Sequence, residues 1–321
     1  MATDLSSPGN SSIAVMFPGQ GSQFPGMCSD VVAQDPESRE TLEFADGILG
    51  YPLSQIMEGK IGDDLNQTVY TQPAIFVHSM LIWRLIQRKI GLKPAGAVGH
   101  SLGEYSALCA AGVLSFEDGL KLVKIRSEAM NNAQAPGSCG MAAIIGVPHD
   151  RISEILSSVR QESVLAIANY NSPDQCVISG SIDAVDRAVE ALNREKRSRV
   201  VRLPVSSAFH TKLMGPATQT LEKSLEGVSF ISSRIPVIAN YNAQPYPTSP
   251  GEMRSLLLKQ LVSPVLWESC IRKMIGMGMG LFVEIGPGKV LSGLIKRIDR
   301  SVSVIAVQDV QAIGDLVGAI S

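Results

Sequence analysis

Ala95-Gly96-Ala97-Val98-Gly99-His100-Ser101-Leu102-Gly103-Glu104-Tyr105-Ser106-Ala107-Leu108-Cys109-Ala110-Ala111 is the stretch on which the reading of this chain turns. Ala95–Gly99 is a small, apolar run of strand type, and Leu102–Ala111 is an alanine-rich segment of helix type. Between them Gly99-His100-Ser101-Leu102-Gly103 fits G-x-S-x-G, in which a strand enters a sharp turn, a serine sits at its apex and a helix leaves. Glycines two residues either side of the serine admit a turn that a larger side chain would block. The N-terminus of the following helix offers backbone N–H groups to a developing oxyanion. The plainer reading of the same five residues is a glycine-bounded turn with an inert serine.

Outward from this turn the chain alternates. Ile13–Phe17 reads as a buried strand ended by Pro18 and Gly19. Gln72–Lys89 reads as a helix with Pro73 in its first turn, and Phe116–Met130 as another, capped by Ser115. The middle differs. Strands at Cys139–Val147, Val164–Ala168, Gln175–Ser179 and Val200–Pro204 interleave with helices at Asp150–Val159 and Ile182–Asn193, with a turn at Asn171-Ser172-Pro173-Asp174. That β-α-β-β-α-β order is the ferredoxin-like pattern. Beyond it come helices at Pro216–Leu225, Glu252–Leu261, Trp267–Met277 and Val290–Ile298, and strands at Pro236–Asn240, Leu281–Ile285 and Val302–Ala306. The expected fold class is α/β: an α/β-hydrolase-like large domain with a mainly parallel sheet, carrying an inserted ferredoxin-like small domain. The expected boundaries are a disordered leader at 1–11, the large catalytic domain at 12–134 and 203–321, and the small domain at 135–202.

Composition agrees with a well-buried globular chain. Of 321 residues, 45% are hydrophobic and 18% charged, which excludes a disordered protein. Twenty-eight basic and 30 acidic residues leave a net charge of -2, so no charge excess points to nucleic acid. The short basic stretch Arg194–Arg202 reads as a solvated face. Cys28, Cys109, Cys139, Cys176 and Cys270 are odd in number and form no C-x-x-C pair, which argues against a disulfide framework or structural zinc. A reducing compartment follows, and the first residues lack the features of a signal or transit peptide. The expectation is a cytoplasmic monomer without a membrane span. Plastid stroma or mitochondrial matrix is the alternative if an import sequence has been removed.

A nucleophilic serine needs a base. Of four histidines, His100 lies inside the turn and is directed away from Ser101, His78 lies mid-helix, and His149 follows Pro148 in a surface-type turn. His210 follows a strand, in the kind of loop that carries catalytic groups, and stands ahead of His149 as the candidate. Gly19-Gln20-Gly21-Ser22-Gln23 reads as a generic strand-to-helix turn or as a source of an oxyanion donor. It lacks the spacing and the lysine of a nucleotide loop. Gly286-Pro287-Gly288-Lys289 reads as a structural turn with a solvated lysine.

Several of these segments together resemble a known family. Phe17-Pro18-Gly19-Gln20-Gly21-Ser22-Gln23, Thr71-Gln72-Pro73-Ala74, Gly99–Tyr105, Asn171-Ser172-Pro173, Ala208-Phe209-His210, Pro264-Val265-Leu266-Trp267 and Glu284–Leu291 are similar, in order, to the malonyl-CoA:acyl-carrier-protein transacylases. These are relatives of the acyltransferase domains of polyketide and fatty-acid synthases. The resemblance implies that Ser101 is acylated and His210 is its base, with Gln20 and Leu102 giving backbone N–H groups to the oxyanion. It implies that Arg126 grips the malonyl carboxylate, that Gln72 lines the site, and that Phe209 marks the malonyl-type version. Gln260 would orient the histidine through its backbone carbonyl, its side chain being of little consequence. The implied partners are malonyl-CoA and acyl-carrier protein, whose phosphopantetheine receives the malonyl group. No metal or cofactor is implied. The alternatives are a serine esterase or thioesterase of similar fold, and a trans-acting acyltransferase of polyketide synthesis.

Overall fold

A computed structural model describes residues 13–62, 64–205 and 207–320. The expected leader at 1–11 lies outside them.

Five parallel strands form the main sheet: β1 (Ile13–Phe17), β2 (Gly96–Gly99), β7 (Val237–Ile238), β8 (Leu281–Ile285) and β9 (Ser303–Val307), in the order β7-β2-β1-β8-β9. The apolar runs of β1, β2, β7 and β8 are buried on both faces, as parallel strands under helices must be, while the edge strand β9 is half-buried. In β1, Ile13, Val15 and Phe17 enter one core while Ala14 and Met16 enter the other. The first core lies under α1 (Ser29–Gln34), α2 (Pro36–Leu49), α3 (Leu53–Glu58), α4 (Thr68–Ile90), α5 (Gly103–Ala110), α6 (Phe116–Asn132), α9 (Gly215–Glu226), α10 (Pro250–Val262) and α13 (Val310–Ile320). The second lies under α11 (Trp267–Gly276) and α12 (Val290–Ile298), around Trp267 and Phe282.

The inserted unit has the expected order: β3 (Cys139–Ile145), α7 (His149–Val159), β4 (Leu165–Ser172), β5 (Gln175–Ser181), α8 (Ile182–Leu192) and β6 (Arg199–Arg202). Its antiparallel sheet runs β4-β5-β3-β6, the ferredoxin-like arrangement. Ala142 and Ile144 face α7 and α8, while Met141 and Ala143 turn to the large unit. A main-chain stitch joins the two bodies: Val265 N–H donates to the Ala168 carbonyl and Tyr170 N–H to the Val265 carbonyl, both at 2.9 Å, beside side-chain links from Asn171 to His100 and from Asp174 to Arg297.

The structure adds four helices to the sequence reading and corrects two of its expectations. Helices α1, α2, α3 and α13 were not foreseen. The turn placed at Asn171–Asp174 contracts to Pro173-Asp174, because Asn169–Ser172 continue β4 in pairing with β5. Pro73 is not in a first turn: α4 begins at Thr68 and Pro73 lies inside it. A proline there has no N–H for the Val69 carbonyl. The Tyr51 hydroxyl donates to that carbonyl instead, at 3.1 Å.

Candidate active site

β2 delivers Ser101 and α5 leaves it. Ser101 holds φ at 51°, a left-handed conformation that costs a residue with a Cβ and is found where the surrounding structure enforces it. Enforcement is steric and polar. A Cβ on Gly99 would stand inside the backbone of Gly103, and one on Gly103 would stand inside the Phe17 carbonyl. The β1, elbow and α5 backbones therefore pack at a separation only glycine permits. Asn240, at the end of β7, locks the turn. Its Oδ1 accepts from Ser101 N–H at 2.7 Å and its Nδ2 donates to the Gly99 carbonyl at 2.8 Å.

His210 lies 109 residues along the chain, and its Nε2 is 2.7 Å from Ser101 Oγ. Its Nδ1 is 2.9 Å from the Gln260 carbonyl, which can only accept. Nδ1 therefore carries the ring proton and Nε2 presents a lone pair to the serine hydroxyl. Burial, reinforced by the Arg126 cation, lowers the imidazole from 6.5 to about 3, so the resting ring is a neutral base. His100 turns away, as expected, with Nε2 donating to Asn171 Oδ1 at 2.8 Å. His149 lies at the start of α7 with its ring against Tyr170, and it does not line the cavity around Ser101.

Arg126 reaches the serine from α6 and is wholly buried. Its guanidinium donates to Gln72 Oε1 at 2.6 Å, Ser101 Oγ at 2.9 Å and Gln260 Oε1 at 3.1 Å, and its Nε has no acceptor. Amide and hydroxyl oxygens hold it, with no carboxylate in contact. Taking a cation out of water costs several kcal/mol, so the arrangement is unfinished until an anion arrives. Burial accordingly lowers its affinity for the proton.

These groups open on a cavity of about 490 Å³ between the two bodies. Gln20, Leu102, Gln72, Arg126, His210 and Phe209 all line it, so every residue to which the resemblance gives a role converges here with Ser101 except Gln260, which lies behind His210. The Gln20 and Leu102 N–H groups donate to no acceptor among the described residues. Met141, Ala143 and Val177 of the small sheet form the facing wall. Lys289, read as merely solvated, is exposed and, like Arg297, also lines the cavity. The basic stretch at 194–202 is a solvated face as expected, with Arg194 paired to Glu190 and Arg202 to Asp186.

Two features were not foreseen. The Gln260 side chain is fully engaged, its Nε2 donating to the Ser101 carbonyl at 2.8 Å and to Glu104 Oε2 at 2.7 Å. These bonds give the side chain partners that the sequence did not show. Asn240 was read only as the end of a strand. Its place at the C-terminal edge of a parallel strand beside β2, where α/β sheets gather their sites, was the available signal. Among the described residues no group of His, Cys, Asp and Glu side chains is placed to hold a metal, and no helix is long and apolar enough to cross a membrane.

Residues 15–316 match the acyl transferase domain family. The chain is 39% identical over 304 residues to the malonyl CoA-acyl carrier protein transacylase of Bacillus subtilis, covering 94% of this chain and 95% of that one. It is similar to the solved malonyl CoA-acyl carrier protein transacylase of Coxiella burnetii, with TM-score 0.93 and 38% identity over 97% of this chain and 98% of that one. A malonyl-transacylase solved in complex with its type II PKS acyl-carrier protein is similar at TM-score 0.91 and 38% identity, over 97% and 99% of the two chains.

Proposed function

Since this chain belongs to the acyl transferase domain family, we propose that it moves a malonyl group from malonyl-CoA to the phosphopantetheine thiol of acyl-carrier protein, supplying extension units for fatty-acid synthesis. The observation that carries the substrate class is Arg126, a buried guanidinium beside the nucleophile with no carboxylate in contact. A malonyl thioester brings both a carbonyl for Ser101 and a free carboxylate that fits the guanidinium fork.

The cycle has two halves. Ser101 Oγ attacks the thioester carbonyl while His210 Nε2 takes its proton. The Gln20 and Leu102 N–H groups receive the oxyanion. The C–S bond breaks, the imidazolium returns its proton to the coenzyme A sulfur, and malonyl-serine remains. The carrier thiol then gives its proton to His210 and attacks the ester carbonyl, and as the C–O bond breaks the imidazolium returns that proton to Ser101 Oγ. Atoms and charge balance without a redox group or metal. Gln72 holds Arg126 and Phe209 closes the acyl pocket. Five unpaired cysteines support a reducing, cytoplasmic setting for this work.

Intact mass after incubation with malonyl-CoA tests the reading. One malonyl adduct is expected, mapped to Ser101, absent in Ser101→Ala and discharged by carrier protein. Free malonate without carrier acylation would make the protein a hydrolase instead.

A further inference from the structure

We propose that Glu104 is the positioning residue that sets Ser101, His210 and Arg126 in one geometry, acting through Asn240 and Gln260. Glu104 lies in the first turn of α5 and is wholly buried. Three donors meet its carboxylate, two from the loop after β7 and one from α10. Tyr246 Oη donates to Oε1, while Gln260 Nε2 at 2.7 Å and Asn240 N–H at 3.1 Å both donate to Oε2. Each of the last two then holds the chemistry. Asn240 fixes the N–H of Ser101 and the carbonyl of Gly99. Gln260 fixes the Ser101 carbonyl and Arg126 with its side chain and His210 with its backbone. Every reacting or substrate-gripping side chain is thus one hydrogen-bonded residue away from Glu104 Oε2.

The position is asymmetric in a useful way. Oε2 only accepts, whereas the hydroxyl opposite Oε1 can either donate or accept. A proton on Oε1 therefore leaves the bonds to Gln260 and Asn240 intact. Burial raises this carboxyl to about 7 against the pull of its three donors, so both forms occur near neutrality. Reach, rather than charge, is what the network asks of residue 104. Glutamine meets that demand, with its oxygen at Oε2 and its amide turned to Tyr246. Aspartate, one methylene shorter, does not.

This inference rests on Ser101 and His210 being the working pair, so its readout is kept separate from the substrate. The rate of Ser101 phosphonylation by a fluorophosphonate, which carries no malonyl carboxylate, is measured on folded variants alongside malonyl-CoA turnover. Glu104→Gln is expected to stay within about threefold of wild type. Glu104→Asp is expected to lose about 10- to 100-fold, the scale of an ångström's misplacement. Gln260→Asn keeps the carbonyl on His210 but withdraws the amide from Glu104. It is expected to lose a comparable factor, and it carries the test if the aspartate variant does not fold. A glutamine variant as damaged as the aspartate one, or an aspartate or Gln260→Asn variant as fast as wild type, overturns the proposal. A wild-type protein inert to the fluorophosphonate overturns it as well. A wild type that reacts with the fluorophosphonate but not with malonyl-CoA refutes the substrate reading and leaves this one standing.

Discussion

Arg126 concentrates the energetics of choice in one side chain. In the resting site it is held by Gln72, Ser101 and Gln260. A malonyl carboxylate gives it a charged partner, while an acetyl group leaves it desolvated and unpaired. Losing such a partner costs on the order of 2–5 kcal/mol, or roughly 30- to 5000-fold in rate. Arg126→Ala is therefore expected to depress kcat/KM for malonyl-CoA by a factor in that range and to leave acetyl-CoA equal or improved. Equal losses with both thioesters would make Arg126 structural. The same cation shapes the pH response. A base whose pKa is lowered from 6.5 to about 3 stays deprotonated as the medium is acidified. The acid limb of kcat/KM for malonyl-CoA is expected below pH 6.5, and a profile that halves near 6.5 would show a solvated histidine. A bound carboxylate neutralises Arg126, so the limb of kcat should lie above that of kcat/KM. The linkage sign is definite: between pH 6.5 and about 3 the unfolded chain protonates His210 and the folded chain does not, so stability falls progressively as the pH drops through that window. At this scale the motifs located Ser101, His210, Gln20, Gln72 and Arg126. Glu104 and Asn240 were in view but without a role, because their partners lie 136 to 156 residues away and no local pattern encodes such contacts.

At the scale of elements, α4 shows a helix repaired from outside. The carbonyl that Pro73 leaves open is met by Tyr51 from the loop before α3. Tyr51→Phe is expected to cost about 1 kcal/mol, the net worth of one hydrogen bond. In a Pro73→Ala background, where residue 73 supplies its own N–H, the same change should cost clearly less. Denaturant midpoints of the four proteins decide this, and equal costs in both backgrounds would mean that Tyr51 acts only through its ring. The proline also explains why the helix start was misread. A proline is most at home in a first turn, so its position suggested one, whereas α4 had already begun five residues earlier. Helix α2 was missed although its signals were present: Asp35 caps it, accepting from Ser38 N–H at 2.9 Å, Pro36 opens it and Gly50 ends it at φ 77°. A search for apolar periodicity passes over a helix announced by its ends. β4 extended past its apolar part because Asn169, Tyr170 and Ser172 earn their strand conformation from pairing with β5, not from propensity.

At the scale of the molecule, the reacting groups belong to the parallel-sheet body and much of the facing wall belongs to the small sheet. Deleting part of a side chain on that wall enlarges the acyl pocket without touching the serine or histidine. Met141→Ala is expected to raise the ratio of kcat/KM for methylmalonyl-CoA over malonyl-CoA, a methyl-sized difference in a pocket being worth about 10-fold or more. An unchanged ratio would place the α-carbon of the substrate away from this wall. The β-α-β-β-α-β order of the insert was readable because each strand there is bounded by its own turn or cap. How the insert leans on the rest was not, because the contacts that fix it, the two hydrogen bonds at Val265 among them, join residues far apart along the chain.

Those two bonds join peptide groups alone, at Ala168, Tyr170 and Val265. At that seam the small sheet's side chains are free to vary, whereas Met141, Ala143 and Val177 pack into the core of the large unit and Asn171 holds His100. An engineer who transplants the insert from a relative therefore inherits the main-chain seam without design, and has to carry over or rematch the side chains that bridge the bodies, Asn171 to His100 and Asp174 to Arg297 among them.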